Sequence, residues 1–240
     1  MNGETPSRRP RIAGVIVLVL AIGGLLALIA SLSLDKSSDK PIEITGAGEV
    51  QELMGGIHQD DATLGSPEAP VTIDFFNDLQ CTFCADYQLE VVPKLVEDLV
   101  RPGKATLVYR HFPLGDKAKE QADFGALAAA KQDYEWQFAQ LFFINQDEVK
   151  PTRGVDEDFL ERIAAAVLEM DQGQWHSDYE KIAAGDDDAA NEALENDDEL
   201  EIDLRLPAEP AVVVTGEKGV RKLEQRPSVE EIEAAVNEVS

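Results

Sequence analysis

The chain contains two cysteines, spaced as Cys81-Thr82-Phe83-Cys84. A β-branched, apolar run ends just before them and a helical apolar pattern begins just after, so the pair sits where a strand hands over to a helix. The free N–H groups and dipole of a helix N-terminus favour negative charge, which holds a cysteine there partly as thiolate, the attacking species in thiol–disulfide exchange. Cys84 lies one turn on, close enough to displace whatever Cys81 has bonded to. The spacing therefore suits a cycle through a mixed disulfide, in which Cys81 meets the substrate and Cys84 resolves or releases it. Two other uses of the pair stay open: a permanent structural bridge and half of a metal site. A bridge across so short a loop removes little chain entropy. A structural zinc takes four protein ligands, and His58, His111 and His176 lack the usual spacing to supply the rest. No metal or organic cofactor is expected, since the redox group is the cysteine pair itself.

The elements that position this pair can be read outward from it. Gly65-Ser66-Pro67 and Ala69-Pro70 supply turn chemistry ahead of Val71-Thr72-Ile73-Asp74-Phe75-Phe76, a strand by composition. Beyond the cysteines, Leu89, Val92, Val96 and Leu99 recur at helical spacing, with Pro93 expected to kink the helix and Arg101-Pro102-Gly103 to end it. Thr106-Leu107-Val108-Tyr109 reads as a second strand, which makes the opening a βαβ unit.

From about residue 117 to 203 the pattern turns helical, an insertion with apolar stripes at Leu127, Trp136, Phe138, Leu141 and Phe142 and at Phe159, Ile163, Val167 and Met170. Such stripes read as packed core, not as a cofactor site. The acids Asp186, Asp187, Asp188, Asp197, Asp198 and Glu199 lack the spacing of a calcium loop and read as a solvated helix face. Leu200, Ile202, Leu204 and Leu206 alternate as in a strand. Ala211 to Val214, a turn at residues 215–219, and Val220 to Leu223 then form a hairpin. Ser228 and Glu231 have capping-box spacing at the start of a closing helix with Ile232, Ala235 and Val236 on its apolar side.

At the other end, residues 12–34 carry no charge and are long enough to cross a bilayer core of roughly 30 Å. Arg8, Arg9 and Arg11 precede them, so residues 1–11 read as a cytoplasmic tail, 12–34 as a transmembrane helix or signal anchor, and the rest as lying outside the membrane. A cleaved signal peptide is the competing reading, with small residues between Ala27 and Ser33. Residues 35–60 read as a linker, and 61–240 as the folded domain. The net charge of −26 over 240 residues argues against a nucleic-acid partner.

Taken together, several segments resemble the DsbA-like branch of the thioredoxin superfamily, in particular its membrane-anchored bacterial members. These are Leu64-Gly65, Ala69-Pro70-Val71-Thr72, Phe76-Asn77-Asp78-Leu79-Gln80-Cys81, Tyr109-Arg110-His111-Phe112-Pro113-Leu114, the Ala-rich run from Gly125 to Ala130, and Pro210 ahead of a hydrophobic strand. The resemblance implies an α/β thioredoxin-like fold with a helical insertion. It further implies a redox pair at the first helix and a cis-proline facing it, a role that falls on Pro210, with Pro207 the weaker candidate. Thr82, Phe83 and Glu209 then become the residues expected to line the substrate.

This chain departs from the family pattern in three places. Thr82 and Phe83 stand where relatives often carry a Pro-His or similar pair, so no imidazole assists the Cys81 thiolate and a less oxidising couple is expected. Phe75 stands where relatives often place a buried acid, and strand alternation turns the neighbouring Asp74 to the other face. Glu209 sets a carboxylate beside Cys81, where it opposes the thiolate. The expected function is an extracytoplasmic thiol–disulfide oxidoreductase, most simply a dithiol oxidase acting on thiols of exported proteins and recharged by a membrane redox partner. A reductase or isomerase on the same residues, and a tethered thioredoxin-like binding or chaperone module, are the alternatives.

Overall fold

In a computed structural model of the chain, the run Val71–Asn77 is a central strand, buried along nearly its whole length. The structure describes residues 43–112, 120–149, 155–223 and 225–240. In chain order the elements are α1 (Ala47–Met54), β1 (Gln59–Asp60), β2 (Thr63–Leu64), β3 (Val71–Asn77), α2 (Thr82–Leu95), β4 (Thr106–His111), α3 (Glu120–Ala130), α4 (Glu135–Val149), α5 (Glu157–Ala166), α6 (Gln172–Ala183), α7 (Asp188–Leu204), β5 (Ala211–Gly216), β6 (Gly219–Leu223) and α8 (Val229–Val239). The strands form one sheet in the order β1-β2-β4-β3-β5-β6. β3 pairs parallel with β4 and antiparallel with β5, and the parallel pair is joined through α2 as a βαβ crossover requires.

Each face of the sheet has its own cover. Phe75 and Tyr109 point to the side of α2 and α4, where both rings meet Trp136 edge-on at 6.3 and 5.7 Å between centroids. Phe76 points the other way, into a cluster with Phe112, Leu206, Ala211 and Val213. The five helices α3 to α7 lie between β4 and β5 in sequence, and within them Trp175 stacks on Tyr179 and Phe138. α8 begins with the reciprocal capping box read from the sequence: Ser228 N–H donates to Glu231 at 2.8 Å and Glu231 N–H to Ser228 Oγ at 3.3 Å.

Three readings are corrected. The residues taken as a linker from 35 to 60 include α1, whose Val50 and Met54 are buried one turn apart, while Asn145 of α4 exchanges hydrogen bonds with the Thr45 backbone. Two apolar residues are too few for the periodicity to stand out, so the packing and not the pattern reveals the helix. Pro93 lies inside α2. The chain passes it and widens into a π turn over Val96–Val100, with Arg101 N–H donating to Val96 O at 2.9 Å. The alternating run from Leu200 belongs to α7: Leu200 and Leu204 sit one helical turn apart against the Phe76 cluster, and Ile202 faces solvent at 68% exposure.

The acidic cluster is likewise only partly a solvated face. Asp187 caps α7 by accepting Ala190 N–H, and pairs with Lys131 at 2.8 Å. Asp197 is buried, accepting from Arg110 at 3.0 Å and from His111 N–H at 2.8 Å. Residues 1–42, with the tail, the transmembrane reading and the start of the linker, lie outside the described residues, as do Pro113 and Leu114. No helix among the described residues is long and apolar enough to cross a membrane.

Candidate active site

β3 runs out at Asn77, and the chain turns sharply before α2 begins. Cys81 N–H donates to Asp78 O at 3.1 Å, and Gln80 N–H donates to Asp78 Oδ1 at 2.7 Å. This side-chain-closed turn sets Cys81 at the N-cap of α2. Gln146 of α4 holds the turn from beneath, donating to Leu79 O at 3.2 Å. Cys81 is the helix N-cap, with extended backbone, and its Sγ accepts the Cys84 N–H at 3.2 Å.

Both cysteines are free thiols, half-buried at Cys81 and fully buried at Cys84. Interaction with Cys84 is the main reason the Cys81 thiol is lowered to about 7; its own burial and the carboxylates of Glu209 and Asp78 pull the other way. The Cys84 thiol is pushed far up by that same partner and by burial. One sulfur is thus ionised near neutrality and reachable, and the other stays protonated and shielded.

Attack by Cys81 on a small disulfide is expected to rise about tenfold per pH unit below pH 7 and to level off above it, since only the thiolate attacks. Stopped-flow rates between pH 5 and 9 check this. A profile still climbing steadily at pH 9 contradicts it.

The Glu209–Pro210 peptide is cis, and Pro207 is not among the cis bonds of the described residues. The Glu209 carboxylate reaches both sulfurs: one oxygen of it and the two Sγ atoms all lie within 4.8 Å of one another. Thr82 and Phe83 stand out from the first turn of α2, with Phe83 65% exposed and so free to meet an apolar side chain of a substrate. The structure therefore brings Cys81, Cys84 and Glu209 together beside Pro210. A cation at this spot meets one protein donor fewer than a closed zinc site takes, and none of the three histidines joins it among the described residues.

Asp74 does not belong to the site. It lies on the opposite face of the sheet, where its Oδ1 accepts from Arg110 at 2.7 Å. Sequence reasoning did not single out Asp78, although an acid two residues ahead of a helix-capping turn is a recognisable signal. It also missed a second polar centre. His111 is fully enclosed at the end of β4, with Nδ1 2.9 Å from Asp123 and Nε2 2.8 Å from Glu135. Burial pulls the imidazole down, but the two carboxylates outweigh it and hold the ring protonated, well above its ordinary range.

Residues 58–238 match the sequence model of the family described as Thioredoxin. Among curated proteins, the chain is 25% identical over 209 residues to a "Probable disulfide bond formation protein D" of Bacillus cereus, covering 84% of this chain and 86% of that protein. It is 32% identical over 137 residues to the Na(+)/H(+) antiporter NhaA 3 of Salinispora tropica. That match takes in 55% of this chain but spans 20% of the antiporter's length. Among solved structures, α-DsbA1 of Wolbachia pipientis superposes with a TM-score of 0.60 at 24% identity, over 75% of this chain and 90% of that one.

Proposed function

We propose a function from this premise: the chain belongs to the thioredoxin family, and it is a thiol–disulfide oxidoreductase of DsbA-like fold. Our finer reading is a dithiol oxidase that works outside the cytoplasm, passing the Cys81–Cys84 disulfide to thiols of exported proteins. The observation that carries it is the division between the two sulfurs. A reachable Cys81, lowered to about 7 and capped by the Cys84 N–H, sits over a buried, protonated Cys84.

In the proposed cycle a substrate thiolate attacks Cys81 Sγ, the Cys81–Cys84 bond breaks, and Cys84 leaves and is protonated. A second substrate thiolate then attacks its partner sulfur in the mixed disulfide and releases Cys81 as thiolate. Two electrons pass to the protein, and a membrane redox partner removes them. Pro210 and the exposed Phe83 line the approach of the substrate. Residues 12–34 anchor the domain, which accords with their apolar length and with Arg8, Arg9 and Arg11 before them.

A reductase reading has one observation in its favour. A Cys81 thiol at about 7 is nearer to the roughly 7 of thioredoxin than to the roughly 3.5 of DsbA, a strong oxidant, and Glu209 helps keep it there. The two directions separate on mixing the oxidised protein with one equivalent of a reduced two-cysteine peptide. An oxidase leaves most of the peptide as its disulfide, read by mass after acid quench. A peptide that stays mostly reduced at equilibrium overturns the oxidase reading.

A further inference from the structure

Opening and closing the Cys81–Cys84 disulfide requires a proton to reach or leave Cys84, which is buried and out of contact with solvent. The Glu209 carboxylate, half-buried on the cis peptide bond before Pro210, is a nearby group able to carry it. One of its oxygens lies within 4.8 Å of both sulfurs, and Oε2 is buried without a hydrogen-bond partner among the described residues. A carboxylate with an unused buried oxygen has a lone pair to offer and no competing donor to hold it. Asp74 is committed to Arg110 on the other face, and Phe75 supplies no acid from the strand.

We infer that Glu209 is the acid–base residue of the disulfide cycle, taking the proton of the Cys84 thiol as the ring closes and returning it as the ring opens. The inference deepens the exchange reading above and rests on it. In closure, the Cys84 S–H proton passes to the Glu209 carboxylate, directly or through one water. The Cys84 sulfur attacks Cys81 Sγ, the Cys81–Cys84 bond forms, and the bond from Cys81 to the outgoing sulfur breaks with its electron pair, giving a thiolate. In opening, the incoming thiolate attacks Cys81 Sγ, the Cys81–Cys84 bond breaks, and the Cys84 thiolate takes the proton back from the Glu209 carboxylic acid. No outside oxidant enters either step.

The other charged and titratable groups acting on this trio are Asp78 from the turn before α2, Glu201 from α7, and Tyr109 from β4, whose buried hydroxyl has no partner among the described residues. Glu209 also has a purely electrostatic effect, opposing the Cys81 thiolate. The two roles predict opposite changes on neutralisation: without its charge, attack by Cys81 is unhindered or faster, and only closure by Cys84 slows.

The test follows the full-length reduced protein reacting with oxidised glutathione, acid-quenched and weighed, so that attack and closure are timed separately. In the wild type, closure is expected to be nearly independent of pH across neutrality, because the carboxylate takes the proton. In Glu209→Gln, attack is unchanged or faster, closure slows about a hundredfold, the mixed disulfide accumulates, and closure climbs about tenfold per pH unit. Glu209→Asp, which keeps an acid, recovers part of the closure rate.

Closure in Glu209→Gln at the wild-type rate overturns the assignment. So does a wild-type closure rate that itself climbs about tenfold per pH unit, a result that needs no variant to fold. If the wild type attacks glutathione but closes independently of Glu209, exchange stands and this role falls. If oxidised glutathione leaves the wild type fully reduced, both fall.

Discussion

Replacing Cys84 by serine turns the protein into a trap: Cys81 still attacks disulfides, and the product stays joined to it. Cys84 is the only other thiol in the chain and lies against Cys81, its N–H 3.2 Å from the Cys81 sulfur. Without it, release depends on an outside thiol finding a half-buried mixed disulfide. Closure is expected to be lost altogether, while turnover with a small-thiol reductant falls roughly a thousandfold. Cys81→Ser removes the attacking atom and abolishes exchange and trapping together. Non-reducing gels of cells producing each variant check the pair. Protein-linked bands in Cys84→Ser that vanish in the double variant are the expected result, and equal bands in both variants contradict it. A permanent structural bridge predicts no trapped species in either.

The largest stability loss is expected at His111. The imidazolium is enclosed between Asp123 and Glu135, and each carboxylate already has one buried oxygen without a partner among the described residues. His111→Phe keeps a ring of similar size but strands two carboxylates in the core. Breaking one side of a buried ionic cluster costs about 3–5 kcal/mol, a large share of a typical domain's stability. Urea unfolding at pH 7 reads this directly, and a loss below about 1 kcal/mol contradicts it.

The sign of the pH dependence follows from the raised imidazole. A group held above its unfolded pKa of about 6.5 gives its full stabilisation below that pH and loses it as pH rises through the folded value, which lies well above. The wild type should therefore hold this contribution in full below about pH 6.5 and lose it progressively as pH rises from there toward the folded value. In His111→Phe the deficit should shrink toward acid pH. Glu135, raised by burial even with the imidazolium beside it, can take up a proton there once that partner is gone.

The cysteine pair was the most legible part of the site, because chemistry forces residue type and spacing to coincide at a strand–helix junction. β3, α2 and β4 were legible from local composition: Val71–Asn77 and Thr106–His111 are rich in β-branched and aromatic residues, and the apolar residues between them recur at helical spacing. What remained hidden depends on distant partners. Asp197 reads as one more acid of a charged stretch until β4 places Arg110 and the His111 amide against it. α1 has two apolar anchors, and the backbone carbonyls of its Glu52 and Leu53 are met by an arginine from residue 101. Leu200 to Leu206 satisfied two periods at once, because residues four apart share a face in a helix and in a strand alike. Glu209 was legible as a neighbour of Cys81 through the family pattern, but its reach to Cys84 is a matter of three-dimensional placement that no spacing records.

The central claim is that Cys81 and Cys84 form a reversible couple poised to give up its disulfide. Its most direct test is equilibration of the protein in glutathione buffers of graded ratio, with the reduced fraction counted after alkylation. A single reversible two-electron transition is expected between about −220 and about −120 mV, more oxidising than thioredoxin but short of the strongest oxidants, because no imidazole stands between the cysteines and Glu209 opposes the thiolate. A midpoint near about −270 mV contradicts the oxidase direction, and the absence of any reversible transition contradicts exchange at this pair.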